Sequence, residues 1–280
     1  MTSRPGFVAV LASLACGLAA TGATAGPTAI TQWNFGTVQP APDNSPAPDL
    51  GSGVAKVLGM DNNYTFSGNN TITGTGTFTF TGPSSVGSVA SADVVATPGD
   101  PNGFANAWRV RGPSNNLGDP RGNGWALQAP QYTQGVEFDA STARYSNVSF
   151  HFDWFSTTQG VNRLQEQYTL DGKTWISING PLAAVSNGFL GTQTIDFSGV
   201  AGVNGDSNFG VRLVSAYDPS LPILNYGSAA GGYYNNNSGN WRFADVGFSG
   251  TPAATPEPSS LLLASIAGGI VAAFARARRA

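Results

Sequence analysis

Apolar residues along the middle of this chain recur at every second position or in short runs broken by Gly, Asn, Asp and Pro. No stretch holds a capped 3.6-residue period. The pattern predicts strands over 30–35, 54–60, 71–80, 89–96, 107–112, 125–129, 135–140, 147–156, 164–170, 174–178, 192–197, 209–215 and 241–248. The clearest is 147–156, where Val148, Phe150, Phe152 and Trp154 alternate with Ser149, His151 and Asp153. Successive side chains of a strand point to opposite faces, so these aromatics belong to a core and the polar set to the other side. Asp171-Gly172 joins two strand-like runs and predicts a type I′ hairpin, whose two central residues both need positive φ. Many short strands with frequent turns, and no internal repeat of about 20–50 residues, predict one all-β sandwich or barrel over 26–250.

Composition agrees with that fold class and removes some functions. Only 10% of residues are charged, while Gly, Ser, Thr and Asn abound, a balance suited to exposed β-structure with many turns. Gly (37) and Pro (18) together stay below the roughly 25–30% that marks low complexity, so the domain is expected to fold. Residues 26–254 hold nine lysines and arginines against fifteen aspartates and glutamates, a net charge of −6. Phosphate neutralisation needs clustered cations, so no nucleic-acid partner is expected. The single cysteine, Cys16, lies in the first 25 residues; if they are removed, no disulfide or Cys-ligated metal is available.

The two ends carry different signals. Residues 1–25 read as a secretory signal peptide: Arg4 supplies the positive start, 7–15 are apolar, and Ala23-Thr24-Ala25 offers the small residues signal peptidase needs, with cleavage expected after Ala25. The alternative is a lipobox at Ser13-Leu14-Ala15-Cys16, with Ser13 where Leu is usual. At the other end, over 251–280, Pro256-Glu257-Pro258 is followed by an apolar run over 261–275 and then Arg276, Arg278 and Arg279.

Fifteen helical residues span about 22 Å, short of the ~30 Å hydrocarbon core, so this short hydrophobic helix supports only transient inner-membrane association. The arginines stay cytoplasmic by the positive-inside rule, and the prolines keep Glu257 in an extended segment outside. These three parts in this order resemble the PEP-CTERM sorting tail of Gram-negative bacteria. The resemblance implies processing by an exosortase and delivery to the cell surface or the extracellular polysaccharide matrix; it implies nothing about the domain's own activity.

Two motifs in the middle support a particular sandwich. Tyr168-Thr169-Leu170-Asp171-Gly172-Lys173-Thr174-Trp175 is similar to a hairpin of discoidin-type and other jelly-roll modules. Asn208 to Pro219, a loop, then Trp241-Arg242-Phe243-Ala244-Asp245-Val246 resembles the last two strands of jelly-roll domains of bacterial surface proteins, which often end in "WRFDNV". The resemblance implies a jelly-roll-like β-sandwich. Ala244 departs from the acidic residue common there, which puts a calcium site at that position in doubt.

Catalysis is poorly supplied. A Ser-His-Asp arrangement would have to use His151, the only histidine, and no nucleophile elbow announces a serine. The glutamates of 26–254 are Glu137 and Glu166, and spacing alone cannot place them across one glycosidic bond. Glu166 falls in line with Leu164, Tyr168 and Leu170, so it is either buried with a raised pKa or relieved by a bulge or an arginine. Asp61-Asn62-Asn63 and Asp100-Pro101-Asn102-Gly103 supply oxygens for calcium but lack EF-hand spacing and read as turns; no cofactor is expected beyond such a Ca2+.

Binding is easier to support. From Tyr217 to Asn240, just ahead of Trp241, runs a long loop with Tyr226, Tyr233, Tyr234 and neighbouring asparagines; rings flanked by amides are what sugar recognition uses, and the alternative is that these aromatics pack down onto the sandwich edge. The expectation is therefore a non-catalytic matrix protein binding extracellular polysaccharide. A glycan-active enzyme using Glu166 or paired aspartates, and a structural surface protein without a ligand, are the alternatives.

Overall fold

The structure, a computed structural model, describes residues 26–36, 45–58, 91–111, 125, 129–234 and 239–253. The signal segment, the sorting tail, the strand expected over 71–80, most of 125–129, and Asp61-Asn62-Asn63 lie outside them. Gly26–Ala253 forms one compact unit. Among the described residues no helix is present, and none is long and apolar enough to cross a membrane.

Twelve strands are described: β1 (Thr28–Trp33), β2 (Leu50–Gly51), β3 (Val54–Leu58), β4 (Ser91–Ala96), β5 (Asn106–Arg111), β6 (Gly135–Asp139), β7 (Tyr145–Ser156), β8 (Arg163–Thr169), β9 (Ile176–Ala183), β10 (Gly188–Asp196), β11 (Gly210–Ser215) and β12 (Trp241–Pro252). They form two antiparallel sheets. The seven-stranded sheet runs β10-β7-β12-β1-β2, with β5 pairing the first residues of β12 and β4 pairing β5; the five-stranded sheet runs β3-β6-β11-β8-β9. The last strand thus lies inside the larger sheet, flanked by β7 on one side and by β5 and β1 on the other.

The sheets pack face to face through rings. Phe138 of β6 meets Trp33 of β1 at 5.2 Å and Phe150 of β7 at 5.8 Å between centroids, and Phe209, just before β11, meets Phe248 of β12 at 5.8 Å. Each such ring removes about 150–250 Å² from water, which is how a chain so poor in charge gathers enough apolar area to stay folded. Strand β7 follows its alternation, with Val148, Phe150, Phe152 and Trp154 buried in the core.

Two local expectations change. The β8–β9 connection is not a two-residue type I′ turn: Gly172 has φ +69°, Asp171 does not share the positive region, and pairing resumes only at Tyr168↔Ile176. The Asp171 carboxylate closes the loop instead. It accepts from the backbone N–H groups of Lys173 (2.8 Å) and Thr174 (2.6 Å) and from Thr174 Oγ1 (2.8 Å), which hold its pKa well below the usual carboxylate range. The second change is in β12, where Trp241 and Phe243 face inward, yet so do Val246 and Phe248. A bulge between Ala244 and Gly247, with Asp245 at φ +44°, shifts the phase by one and keeps Asp245 out of the core.

Candidate functional site

The tyrosine loop folds down onto the core. Tyr226 is fully buried, with its hydroxyl 3.1 Å from the Ala129 carbonyl oxygen and 3.0 Å from that of Pro130, while Ser215 Oγ donates to it at 3.2 Å. Tyr234 is buried too, accepting a hydrogen bond from the Trp125 backbone N–H at 2.9 Å, and burial pushes its phenol well above the ordinary value. Trp241 is fully buried between Trp125 (4.3 Å) and Trp154 (5.1 Å) and donates Nε1–H to Val161 O at 2.8 Å. Tyr217 is half-buried with its ring edge-on to Tyr226; Tyr233 alone of the five is exposed, at 41%. A ring with no open face cannot stack on a sugar, so Tyr226, Tyr234 and Trp241 are packing residues. The loop is tied to the start of β8 by Asn162 N–H to Gly227 O and closed on itself by Tyr234 N–H to Tyr226 O.

The outer face of the five-stranded sheet offers a better surface. Antiparallel pairing places Lys56, Glu137, Arg212, Gln167 and Ser177 directly opposite one another in a single row across β3, β6, β11, β8 and β9. Side chains opposite across a pair lie close enough to interact, so register alone assembles this row. Glu137 sits at 5% side-chain exposure between two cations, with Lys56 Nζ on Oε1 and Arg212 Nε on Oε2 at 2.7 Å. Lys56 also reaches Asp139 at 3.1 Å. Burial pulls the Lys56 pKa down, but the hydrogen bonds and charges of the two carboxylates outweigh it and leave it raised. Asp139 is raised by burial and then by the Glu137 charge, against the pull of Lys56.

Trp175, at the end of the β8–β9 loop, lies under the Arg212 guanidinium, 3.8 Å from ring centroid to Cζ. Gln167 Nε2 donates to Ser177 Oγ at 3.2 Å. Beside the row opens a pocket of about 480 Å³ lined by Gly53, Val54, Lys56, Glu137, Asp139, Ser207 and Asn208 among others. Lys56 and Arg212 of the row balance Glu137 and the neighbouring Asp139, so these four groups together carry no net charge. No signal in the linear sequence gathers this row; it follows from the strand order.

The remaining candidates lie elsewhere. Glu166 is 3% exposed on the inner side of β8, held by Asn179 Nδ2 at 2.7 Å beside a register shift, and burial raises its pKa against that hydrogen bond. Both open expectations meet there: the group is buried and raised, and an irregularity brings it a polar partner. Glu166 and Glu137 fall on opposite faces of their sheet and do not form a carboxyl pair across one bond. His151 lies on the outer face of the larger sheet, with Nε2 3.6 Å from Asp245 Oδ1. Asp100 to Gly103 form a turn, Gly103 N–H donating to Asp100 O at 3.1 Å. The sorting residues Pro256, Glu257, Pro258, Arg276, Arg278 and Arg279, and the cleavage residues Ala23 and Ala25, are outside the described residues.

No protein-family model matches the chain, and no curated protein does either. Among solved structures it is similar to a cyclase from Fischerella sp. TAU in complex with 4-(1H-indol-3-yl)butan-2-one, at 13% identity and TM-score 0.37, covering 79% of this chain and 96% of that one. An apo-form cyclase from Fischerella sp. matches at 12% identity and TM-score 0.37, covering 82% and 98%. A candidate sugar-binding protein from Bacteroides thetaiotaomicron VPI-5482 matches at 8% identity and TM-score 0.36, covering 80% and 100%. Likenesses at these scores carry no weight about activity.

Proposed function

We propose that this chain is an exported, non-catalytic protein of the cell surface or exopolysaccharide matrix, whose jelly-roll sandwich holds a neutral sugar on the outer face of its five-stranded sheet. The jelly-roll reading is supported by connectivity. Strands β1, β6, β7, β8, β9, β10, β11 and β12, taken as one to eight, lie in the orders 1-8-3-6 and 2-7-4-5, the two nested Greek keys of that fold, with β2 to β5 as additions.

The sugar reading rests on the cross-strand row Lys56–Glu137–Arg212–Gln167–Ser177 beside the open pocket. Ammonium and guanidinium donors, a carboxylate acceptor, an amide and a hydroxyl alternate at strand spacing, which suits a ligand whose every carbon carries a hydroxyl. Charge balance argues for a neutral glycan over a polyanion, and Trp175 supplies a ring at the edge of the row for the apolar face of a pyranose. Two prior expectations complete the reading: removal of 1–25 by signal peptidase, and exosortase cutting near Pro256-Glu257-Pro258.

The test is a glycan array with residues 26–254, compared with the Trp175→Ala, Arg212→Ala double variant. Retention of neutral glycans, with at least a tenfold loss in the variant, is expected; retention unchanged by the variant, or no retention at all, overturns the site and leaves a structural surface protein. Processing is read separately, by intact-mass analysis of the protein recovered from an exosortase-bearing Gram-negative host, where loss of Arg276, Arg278 and Arg279 is expected.

A further inference from the structure

Across the seven-stranded sheet, pairing sets Asp93, Arg109, Arg242, Phe155 and Phe189 directly opposite one another on β4, β5, β12, β7 and β10. Their strand neighbours Trp108, Val110, Trp154 and Trp241 are buried in the core, so by alternation this second row lies on the outer face. Arg111, two residues past Arg109 on β5, joins it there. Three guanidinium groups thus gather around one carboxylate, and a guanidinium stays protonated at any pH a protein tolerates.

The hydrogen bonds show which of these charges go unanswered. Arg109 takes the Asp93 carboxylate, with Nε on Oδ1 at 2.8 Å and Nη2 on Oδ2. Arg111 reaches the same carboxylate only at 3.9 Å, and its Nε is buried with no acceptor. Arg242 has two neutral acceptors, Thr97 Oγ1 at 3.0 Å from Nη1 and Asn240 Oδ1 at 3.2 Å from Nε, and lies 4.8 Å over the Phe155 ring. Burial, and then the charge of Arg109, lowers the pKa of both Arg111 and Arg242 against the pull of Asp93. The carboxylates farther along this face are engaged elsewhere: Asp153 and Asp245 take the Asn102 amide at 3.0 and 2.8 Å, and Asp245 also takes Gln32 Nε2. Among the described residues, then, two half-buried arginines have no carboxylate of their own, although an arginine drawn out of water is ordinarily paired.

A neighbouring hollow points to the missing partner. A pocket of about 250 Å³ is lined by Thr157, Thr158, Asn187 and Asn240 among others. It adjoins the arginines through Asn240, which accepts from Arg242 Nε and stands, like Arg111, one step past the Trp241↔Val110 pair. The hydroxyls and amides that line it both donate and accept, as sugar hydroxyls require, while guanidinium groups match a carboxylate through paired N–H···O bonds. We propose that Arg111 and Arg242 bind the carboxylate of a uronic acid residue whose hydroxyls lie in this pocket, so that the seven-stranded sheet holds an acidic glycan. A bare inorganic anion would fill the arginine half alone and leave the pocket to water. The net charge of −6 over 26–254 does not forbid such a ligand: at ~0.15 M salt, exposed charges more than about 8 Å away are largely screened, and the local balance is positive.

The test is calorimetric titration of the full chain with trigalacturonic acid, with its methyl ester, which keeps the shape and removes the charge, and with sodium sulfate. Saturable binding of the acid is expected, weakened by added salt, with about tenfold or more of the affinity lost in the ester and in Arg111→Gln. Should that variant fail to fold, as judged by circular dichroism, Arg242→Gln takes its place. No binding of the acid overturns the proposal, as does an ester bound as tightly or a folded variant that binds the acid like wild type. Sulfate held as tightly as the acid marks a plain anion site and overturns the sugar assignment. The Trp175→Ala, Arg212→Ala variant, altered only on the five-stranded sheet, should hold the acid as wild type does, so the two proposals fail separately.

Discussion

Single residues in this protein are set by what lies across the sheet from them. Glu166 shows the effect most plainly: buried on the inner side of β8 with one amide partner, it carries a raised pKa, so the fold favours its neutral form. The sign follows from linkage. A carboxyl whose folded pKa exceeds its unfolded value of about 4.3 contributes its full stability below that value and loses it as pH rises through the folded pKa. Glu166→Gln, which fixes the neutral state, is therefore expected to unfold a few degrees later than wild type at pH 8 and at nearly the same temperature at pH 4; denaturation curves at the two pH values check this. A variant less stable at pH 8 would mean that the charged form is the one the fold accommodates. Little at this scale was legible beforehand: Tyr226, Tyr234 and Trp241 have the composition of a sugar platform, but a ring in a loop buries as readily as one in a strand.

Strands are legible to the degree that they alternate. β7 shows its register in its own residues because one face is wholly apolar, and β6 and β11 alternate likewise around Glu137 and Arg212, whereas β8 breaks the rule at the buried Glu166. β2, two residues long, leaves no periodicity to read, and β10 begins four residues before its predicted start because Gly188, Phe189 and Leu190 precede a register shift. The row on the five-stranded sheet was illegible for a different reason: its members sit on separate strands, and only the pairing order brings them together. Within β7 the heaviest demand falls on Phe150, whose ring meets Phe138, Phe152 and Phe248. Phe150→Ala should cost about 3–5 kcal/mol in urea unfolding, with the urea dependence itself unchanged. A cost below about 1 kcal/mol would mean that the two sheets do not depend on this ring for their contact.

For the molecule as a whole, connectivity decides more than any single contact. β12, the final strand of Gly26–Ala253, pairs β7 along one edge and β5 and β1 along the other. A chain stopped after residue 240 is expected to show no cooperative unfolding transition, although it retains every other strand; a sharp transition in such a chain, followed by circular dichroism, would show that the sandwich closes without it. Until the closing strand arrives, β1, β5 and β7 each present unpaired backbone edges, and a sheet with open edges is not a stable one. The fold therefore works as a gauge of completeness: a growing polypeptide stays pliable until residues 241–252 are available to it, and a product truncated ahead of them by a nonsense codon or a stalled ribosome is left open to proteases.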